Sequence, residues 1–453
     1  MQEKQNDFTK NSMAYNIMSL AIPMTIAQLI NVLYSLVDRM YIGHLAQNST
    51  LALTGLGITF PIIMLVTAVT NLFGMGGAPL CSIARGRGDD ERAEKIIGNS
   101  FAMLIICSCI LIIIGLVMKK SLLYLFGASD ETYPYANEYF SIYIWESIFV
   151  MVGLGMNTFI NAQGFAKKGM LTILIGAIIN IILDPIFIFC LDLGIKGAAI
   201  ATVIAQFISA SWVLYFLFSD KTIYRIKKSC MKLDFKLIKE IVSLGFSGFV
   251  FATTGSLVQI VCNNVLLFWG GNIYVGIMTV LNSIRDVLQM TIEGIRSGAQ
   301  PVISYNYGAG QYLRVRQGIK FLTKIALLYT SIAWCILDFF PEFFIHLFNS
   351  EEEMLLLGVP ALHIYILGFF MMAFQSAGQT TFISLGMGKY ATFFSLFRKV
   401  ILVIPLTIFL LNLWDLGVYG VFYAEMISNF VGGIACFSTM MIVVWRRLGK
   451  LNK

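Results

Sequence analysis

Apolar residues in this chain come in long unbroken runs. They form neither the short alternation of strands nor the one-sided stripe of a soluble helix. Ser19 to Val37 is nineteen residues without a charge, and a membrane-crossing helix needs about twenty mostly apolar residues. Runs of this kind predict twelve spans, at 15–43, 52–80, 98–118, 135–162, 169–192, 197–219, 239–269, 273–304, 318–340, 354–386, 390–413 and 417–445. A membrane barrel would instead show segments of about ten residues with alternating hydrophobicity. The expected fold class is all-α and polytopic, with 1–220 and 239–453 as two six-helix lobes. Between them 221–238 reads as a cytoplasmic basic linker, with basic residues suited to anionic lipid headgroups.

Polar residues between the runs set the expected orientation. Only Lys119, Lys120 and Lys196 fall in the odd-numbered connections. The other loop Lys and Arg residues, among them Arg85, Arg87, Arg92, Lys95, Arg446 and Arg447, fall on the termini and the even-numbered connections. The positive-inside rule then places both termini in the cytoplasm. The first run follows no clean basic region and precedes no small-residue cleavage pattern, so it reads as a retained helix.

Composition agrees with the pattern. Of 453 residues 58% are hydrophobic and 13% charged, against roughly 25% charged in soluble domains, and the mean hydropathy is +0.78. The net charge of +7 is accounted for by topology and calls for no nucleic acid. The eight cysteines lie almost all inside apolar runs, with neither metal spacing nor a disulfide framework, and suit packing. The three histidines, His44, His346 and His363, are scattered.

The two halves repeat. "DLGIKGAAIATVIAQF" from Asp192 matches "DLGVYGVFYAEMISNF" from Asp415, and "TFINAQG" from Thr158 matches "TFISLG" from Thr381, both 223 residues apart. Pro185 and Pro405 occupy similar places. Six spans per unit is an even number, so the units share one membrane orientation. Parallel repeats of this kind typify transporters.

Polar side chains inside the spans recur three or four residues apart and so share helix faces. In the first half these are Asn31, Ser35 and Asp38 on span one, Asn157 and Asn161 on span four, Asn180 and Asp184 on span five, and Thr202 and Gln206 on span six. Asp184 is the only charge between Met170 and Leu191. A carboxylate near the bilayer centre costs roughly 2.5–3.5 kcal/mol on insertion scales. It is tolerable protonated, ionised beside a small cation, or hydrogen-bonded as a packing residue. Pro185 lacks an N–H and clashes with the carbonyl one turn earlier. It therefore frees the Ile181 carbonyl and permits a bend. A freed carbonyl, Asn180 and Asp184 suit a hard cation such as Na⁺, with Asp38 as a further ligand. "NIILDPIFIF" thus reads as an ion switch on a hinge. The second half carries Asn282, Arg285, Asp286, Gln289, Glu293, Arg296 and Gln300 on span eight. Gln259 and Asn263 mark span seven, Gln375 and Gln379 span ten, and Arg398 span eleven. Glu425 and Asn429 mark span twelve. Glu293 with Arg296 reads either as an internal ion pair or as a substrate contact. Glu425, at the repeat position of Thr202, reads as a cation attractor.

Several stretches together resemble the multidrug and toxic compound extrusion (MATE) family, in its MepA-like bacterial branch. They are "LYSLVDRMYIGHL" from Leu33, "ARGRGDDERA" from Ala84, "NIILDPIFIF" from Asn180, "DLGIKGAA" from Asp192, "GAQPVISYNYGAG" from Gly298 and "RKVILVIP" from Arg398. The resemblance implies two six-helix lobes facing a central cavity in a bacterial cytoplasmic membrane. It implies antiport, with inward Na⁺ or H⁺ driving drug out, and a first-half cation site at Asp38, Asn180, Asp184 and Thr202. Some relatives use acids on spans seven and ten. Here Gln259 and Gln375 or Gln379 stand in those regions, leaving Glu293 and Glu425 to serve instead.

The expected protein is a secondary efflux antiporter for amphipathic, cationic compounds, acting as a monomer. Its partners are small-molecule drugs or toxic organic cations and membrane lipid. No cofactor or nucleic acid is expected. Asn157, Gln206, Gln259, Asn263, Glu293, Arg296, Gln375, Gln379 and Glu425 are the substrate-cavity candidates, with Pro185 as hinge. A lipid-linked oligosaccharide flippase of related fold is the alternative. A membrane-embedded enzyme is disfavoured, because the chain carries no H-E-x-x-H and no G-x-S-x-G.

Overall fold

The computed structural model describes residues 8–43, 49–348, 351–411 and 416–451. His44 and Asp415, and the side chains of Ser35 and Arg39, lie outside the described set. Among the described residues every regular element is helical. Ten helices are long and apolar enough to cross a membrane. Span four adds an eleventh as a bent pair, Tyr133–Tyr143 and Glu146–Ala162, which meet at 53°. The twelfth comes from Phe235–Gly308. Its 74 residues include Gly271 at φ 74° and ψ −171°, which is not helical. A straight helix of that length would measure about 110 Å at 1.5 Å per residue, several bilayers deep. The chain turns back at Gly271 instead, since Val258, Cys262 and Leu266 share one buried cluster with Ile277, Leu281 and Ile284. This is the twelve-helix membrane fold.

The helices run past the membrane stretches that hydropathy marks. Span three was expected from residue 98 and begins at Asp90, because the Asp89 carboxylate caps it by accepting from the Arg92 N–H at 3.0 Å. A cap and acids in the first turn stabilise a helix start in water as well as in lipid. Three spans contain widened π turns that apolar periodicity does not announce. These are Ile186–Cys190 in span five, Phe397–Val403 in span eleven and Met441–Trp445 in span twelve.

The chain divides into two compact units. The first holds Ile22–Phe249. Its core is built on spans two, three, four and six, with Phe73, Ile97, Leu104, Met156, Phe159 and Val213 fully or nearly buried. The basic connection after span six is docked onto this unit. Gln163 Oε1 accepts from the N–H groups of Ile223 and Tyr224 and from the Thr222 hydroxyl at 2.7–2.9 Å. Asn99 donates to the Cys230 carbonyl and accepts from the Asp234 N–H. Burial and the Asp90 carboxylate, to which its hydroxyl donates at 2.6 Å, hold the Tyr224 phenol above its ordinary pKa.

The second unit runs from Val250 onward and also takes Phe8–Ala21, so span one contributes to both units. In this unit Arg314 donates to the carbonyls of Phe8 and Asn11, and Gly298 sits directly against Ala21.

The repeat is physical as well as textual. Gly197 on span six packs against the Phe187–Ile188 backbone at the end of span five. Gly420 on span twelve packs in the same way against Leu410–Leu411 at the end of span eleven. All three pairs of positions are 223 residues apart. A Cβ at Gly197 would lie 2.6 Å from Phe187 C, and one at Gly420 would lie 2.9 Å from Leu410 C. Small residues let membrane helices approach closely, and each unit uses one at the same junction.

Candidate functional site: a carboxylate cluster in the first unit and an ion-pair cluster in the second

Span five carries Asn180, 2% exposed, and Asp184, fully buried, one turn apart. Span six brings Thr202, 8% exposed, beside them. Asn180 Nδ2 donates to Asp184 Oδ1 at 3.0 Å and to Thr202 Oγ1 at 3.3 Å, while Thr202 donates to the Ala198 carbonyl of its own helix. Asp38, half-buried on span one, lies within hydrogen-bonding and electrostatic reach of Asp184. Asp184 Oδ2 and Asn180 Oδ1 are buried without a hydrogen-bond partner. Orphaned buried oxygens are costly, and both belong to residues of one cluster of carboxyl, amide and hydroxyl groups. A hard cation or a proton satisfies such a set. Among the described residues no three His, Cys, Asp or Glu side chains gather as they would for a transition metal.

A cavity opens beside this cluster. Asn180, Thr202 and Gln206 line it together with Asn31 and Tyr34 of span one and Ser209 of span six. Asn157 stands apart. It is buried and donates to the Gly169 carbonyl at 3.2 Å, tying span four to the start of span five. Pro185 stands at the junction where span five passes into the π turn Ile186–Cys190.

In the second unit Glu293, Arg296, Gln375, Gln379 and Arg398 line one cavity with Gln289. Arg296 pairs with Glu293 at 2.5 Å and donates to Thr380 Oγ1 at 3.1 Å. Gln379 donates to Ser395. Asn263 is half-buried and Gln259 exposed, and neither is among the residues that line this cavity. Glu425, expected as a cation attractor, is engaged otherwise. It accepts from Lys399 Nζ at 3.1 Å, Arg398 lies 3.9 Å away, and all three side chains are buried. Lys399 thus neutralises the carboxylate, while Arg398 donates to Asn429 at 2.8 Å. Arg285 donates to the Tyr365 hydroxyl, which donates in turn to Asn282. Lys399 and, in the first unit, Glu146 are buried charged residues that the polar stripes did not reveal.

Comparisons with known proteins follow the same lines. The MatE family profile matches residues 23–186 and again 248–409, one match in each half. The multidrug export protein MepA of Staphylococcus saprophyticus is 23% identical over 97% of this chain and 95% of its own length. An outward-facing multidrug resistance MATE family transporter of the MOP superfamily superposes with a TM-score of 0.91, at 23% identity and 99% coverage of both chains. A MOP superfamily transporter from Pyrococcus furiosus, described by a binding pocket of reversed polarity that suggests a different function, superposes equally well. Its TM-score is 0.91 at 23% identity, over 100% of this chain and 99% of that one.

Proposed function

This chain belongs to the MATE family, and on that premise we propose that it is a secondary antiporter. In this reading it exports amphipathic, cationic compounds in exchange for inward H⁺ or Na⁺. Its termini lie on the cytoplasmic side of a bacterial membrane, and it works as a monomer. The observation that carries the reading is the clustering of Asp38, Asn180, Asp184 and Thr202, with Asn180 bridging Asp184 and Thr202 and its own Oδ1 buried without a partner. Two facing carboxylates in a low-dielectric site repel each other. A proton or a sodium ion between them removes that repulsion.

The sequence of events follows from that electrostatics. Open to the outside, Asp38 and Asp184 take up the ion, with Asn180 and Thr202 supplying neutral oxygens. Neutralisation favours the bend at Pro185 and closes down the cavity beside Gln206, which releases drug. Open to the inside, the ion leaves and drug binds again. Ion and drug must each discriminate between the two states, since a ligand that binds both equally shifts nothing. Glu293, Arg296, Gln375 and Gln379 serve as polar contacts for substrate in the second unit.

Transport into proteoliposomes under a pH gradient alone, and then a Na⁺ gradient alone, tests the exchange. Asp184→Asn is expected to abolish gradient-driven efflux while leaving expression intact. Undiminished efflux from well-folded Asp184→Asn protein would overturn the reading. A lipid-linked oligosaccharide flippase is the alternative reading, for which Arg285, Arg296 and Arg398 could serve the pyrophosphate, each with an acidic neighbour. Gradient-independent movement of a pyrophosphate-linked lipid would select it.

A further inference from the structure

The bend in span four falls immediately before Glu146. Glu146 is 1% exposed, and its Oε2 is buried with no hydrogen-bond partner. Tyr143 is placed to donate to the same carboxylate, and Asp38 lies within electrostatic reach of it. Tyr139, 3% exposed, stacks on Tyr143 with ring centroids 5.1 Å apart. It feels Asp38, Glu146, Tyr34 and Asp184 together. The acids and phenols of spans one, four and five therefore lie within electrostatic reach of one another. Among the described residues no basic side chain pairs with Glu146. Lys119 and Lys120 lie on the short helix Lys119–Leu125, which packs against Tyr133–Tyr143, and Lys119 donates to Ser141 at 3.3 Å. Span two carries only Arg85 and Arg87, at its end, and span three only Asp90, Glu91, Arg92, Glu94 and Lys95, in its first turns. Span five has Lys167 and Lys168 at its start, and Lys196 of span six pairs with Glu138 at 3.2 Å.

We infer that Glu146 is a second ion-carrying carboxyl of the first unit, binding a proton alongside the Asp38–Asp184 pair, so that more than one positive charge enters per cycle. The inference rests on the reading of Asp38 and Asp184 as the coupling site. One cation between Asp38 and Asp184 leaves Glu146 either charged in an apolar setting or neutral. Burial opposes its charge, while its position in the first turn of Glu146–Ala162 favours it. Both forms are thus accessible, and the bend joins the carboxylate to whichever shape span four adopts. The Tyr143 hydroxyl can donate to the ionised form and accept from the protonated one.

The test is the balance point of exchange in proteoliposomes, where the drug gradient that just stops flux is set against the imposed pH gradient. For the unaltered protein the drug ratio is expected to rise with the proton ratio to a power that falls by one in Glu146→Gln and is retained in Glu146→Asp. An unchanged power in Glu146→Gln overturns the inference. If Asp184→Asn is then still inert, the coupling site survives. If Asp184→Asn transports like the unaltered protein, the parent reading falls instead. Should Glu146→Gln misfold or stall, a hydrophobic carbodiimide that reacts with protonated carboxyls decides the matter on the unaltered chain. Labelling of Glu146 that fades as pH rises supports the inference, and no labelling at any pH at which transport runs sinks it.

Discussion

A buried charge is costly without a partner, and the two units differ in what they bury. In the second unit the partner is built in, as Glu425 is held by Lys399 and Arg398. Removing one member of a buried pair leaves an uncompensated charge and costs about 3–5 kcal/mol. Glu425→Gln orphans two cations, whereas Lys399→Met leaves Glu425 with Arg398. Glu425→Gln is therefore expected to lower the thermal unfolding midpoint in detergent more than Lys399→Met does, and the reverse order would show that Arg398 does not share the carboxylate. At this scale the sequence was legible where one residue broke a pattern, as Asp184 does. It was not legible for Lys399, which follows Arg398 and was passed over as its neighbour. The π turn Phe397–Val403 lets both adjacent basic residues be buried. Glu146 was missed for another reason. Stripes on one helix find residues that share a face, whereas its neighbours Asp38 and Tyr143 belong to another helix and to the far side of a bend.

Close helix crossings fix the geometry that carries these side chains. Gly76 of span two and Gly245 at the start of span seven meet within the first unit, and a Cβ on Gly245 would be driven into the Leu72 carbonyl. Backbone atoms cannot yield as a flexible side chain does, so Gly245→Ala is expected to destabilise by about 1–3 kcal/mol, as overpacking does. A thermal unfolding midpoint equal to that of the unaltered protein would contradict this. The connection after span six offers a second check. Gln163→Leu removes the acceptor for two backbone N–H groups and a hydroxyl, at roughly 0.5–1.5 kcal/mol for each hydrogen bond lost. Amide exchange at Ile223 and Tyr224 is expected to quicken while the core of the unit stays protected. Hydropathy showed where the helices cross lipid but not where they end or bend. A cap at Asp89, a break at Gly271 and the turn before Glu146 depend on hydrogen bonds and backbone angles that an apolar run does not encode.

Across the whole chain, the repeat keeps a helix junction and changes the buried polar residues. Gly197 and Gly420 make the same contact in their own units, which is why the 223-residue offset was readable from identity alone. The polar residues were free to diverge. At the same offset Asp184 becomes Thr407, Asn180 becomes Val403 and Thr202 becomes Glu425. Thr407 is fully buried, with its hydroxyl 4.0 Å from Cys262 Sγ. No amide stands where Asn180 has its counterpart, and the acid at 425 is already paired with Lys399. If ion coupling belongs to the first unit alone, moving a carboxylate to the equivalent place should not restore it. In Asp184→Asn/Thr407→Asp the new acid would enter a neighbourhood already charged by Lys399 and Glu425. It would compete for Lys399 rather than exchange with solvent, because a fixed cation beside a carboxylate outlasts a mobile one in a low-dielectric site. Gradient-driven efflux in the double variant is therefore expected to stay as low as in Asp184→Asn. Recovery of efflux would mean that the two units are interchangeable as ion sites and that the asymmetry of their buried charges is incidental to transport.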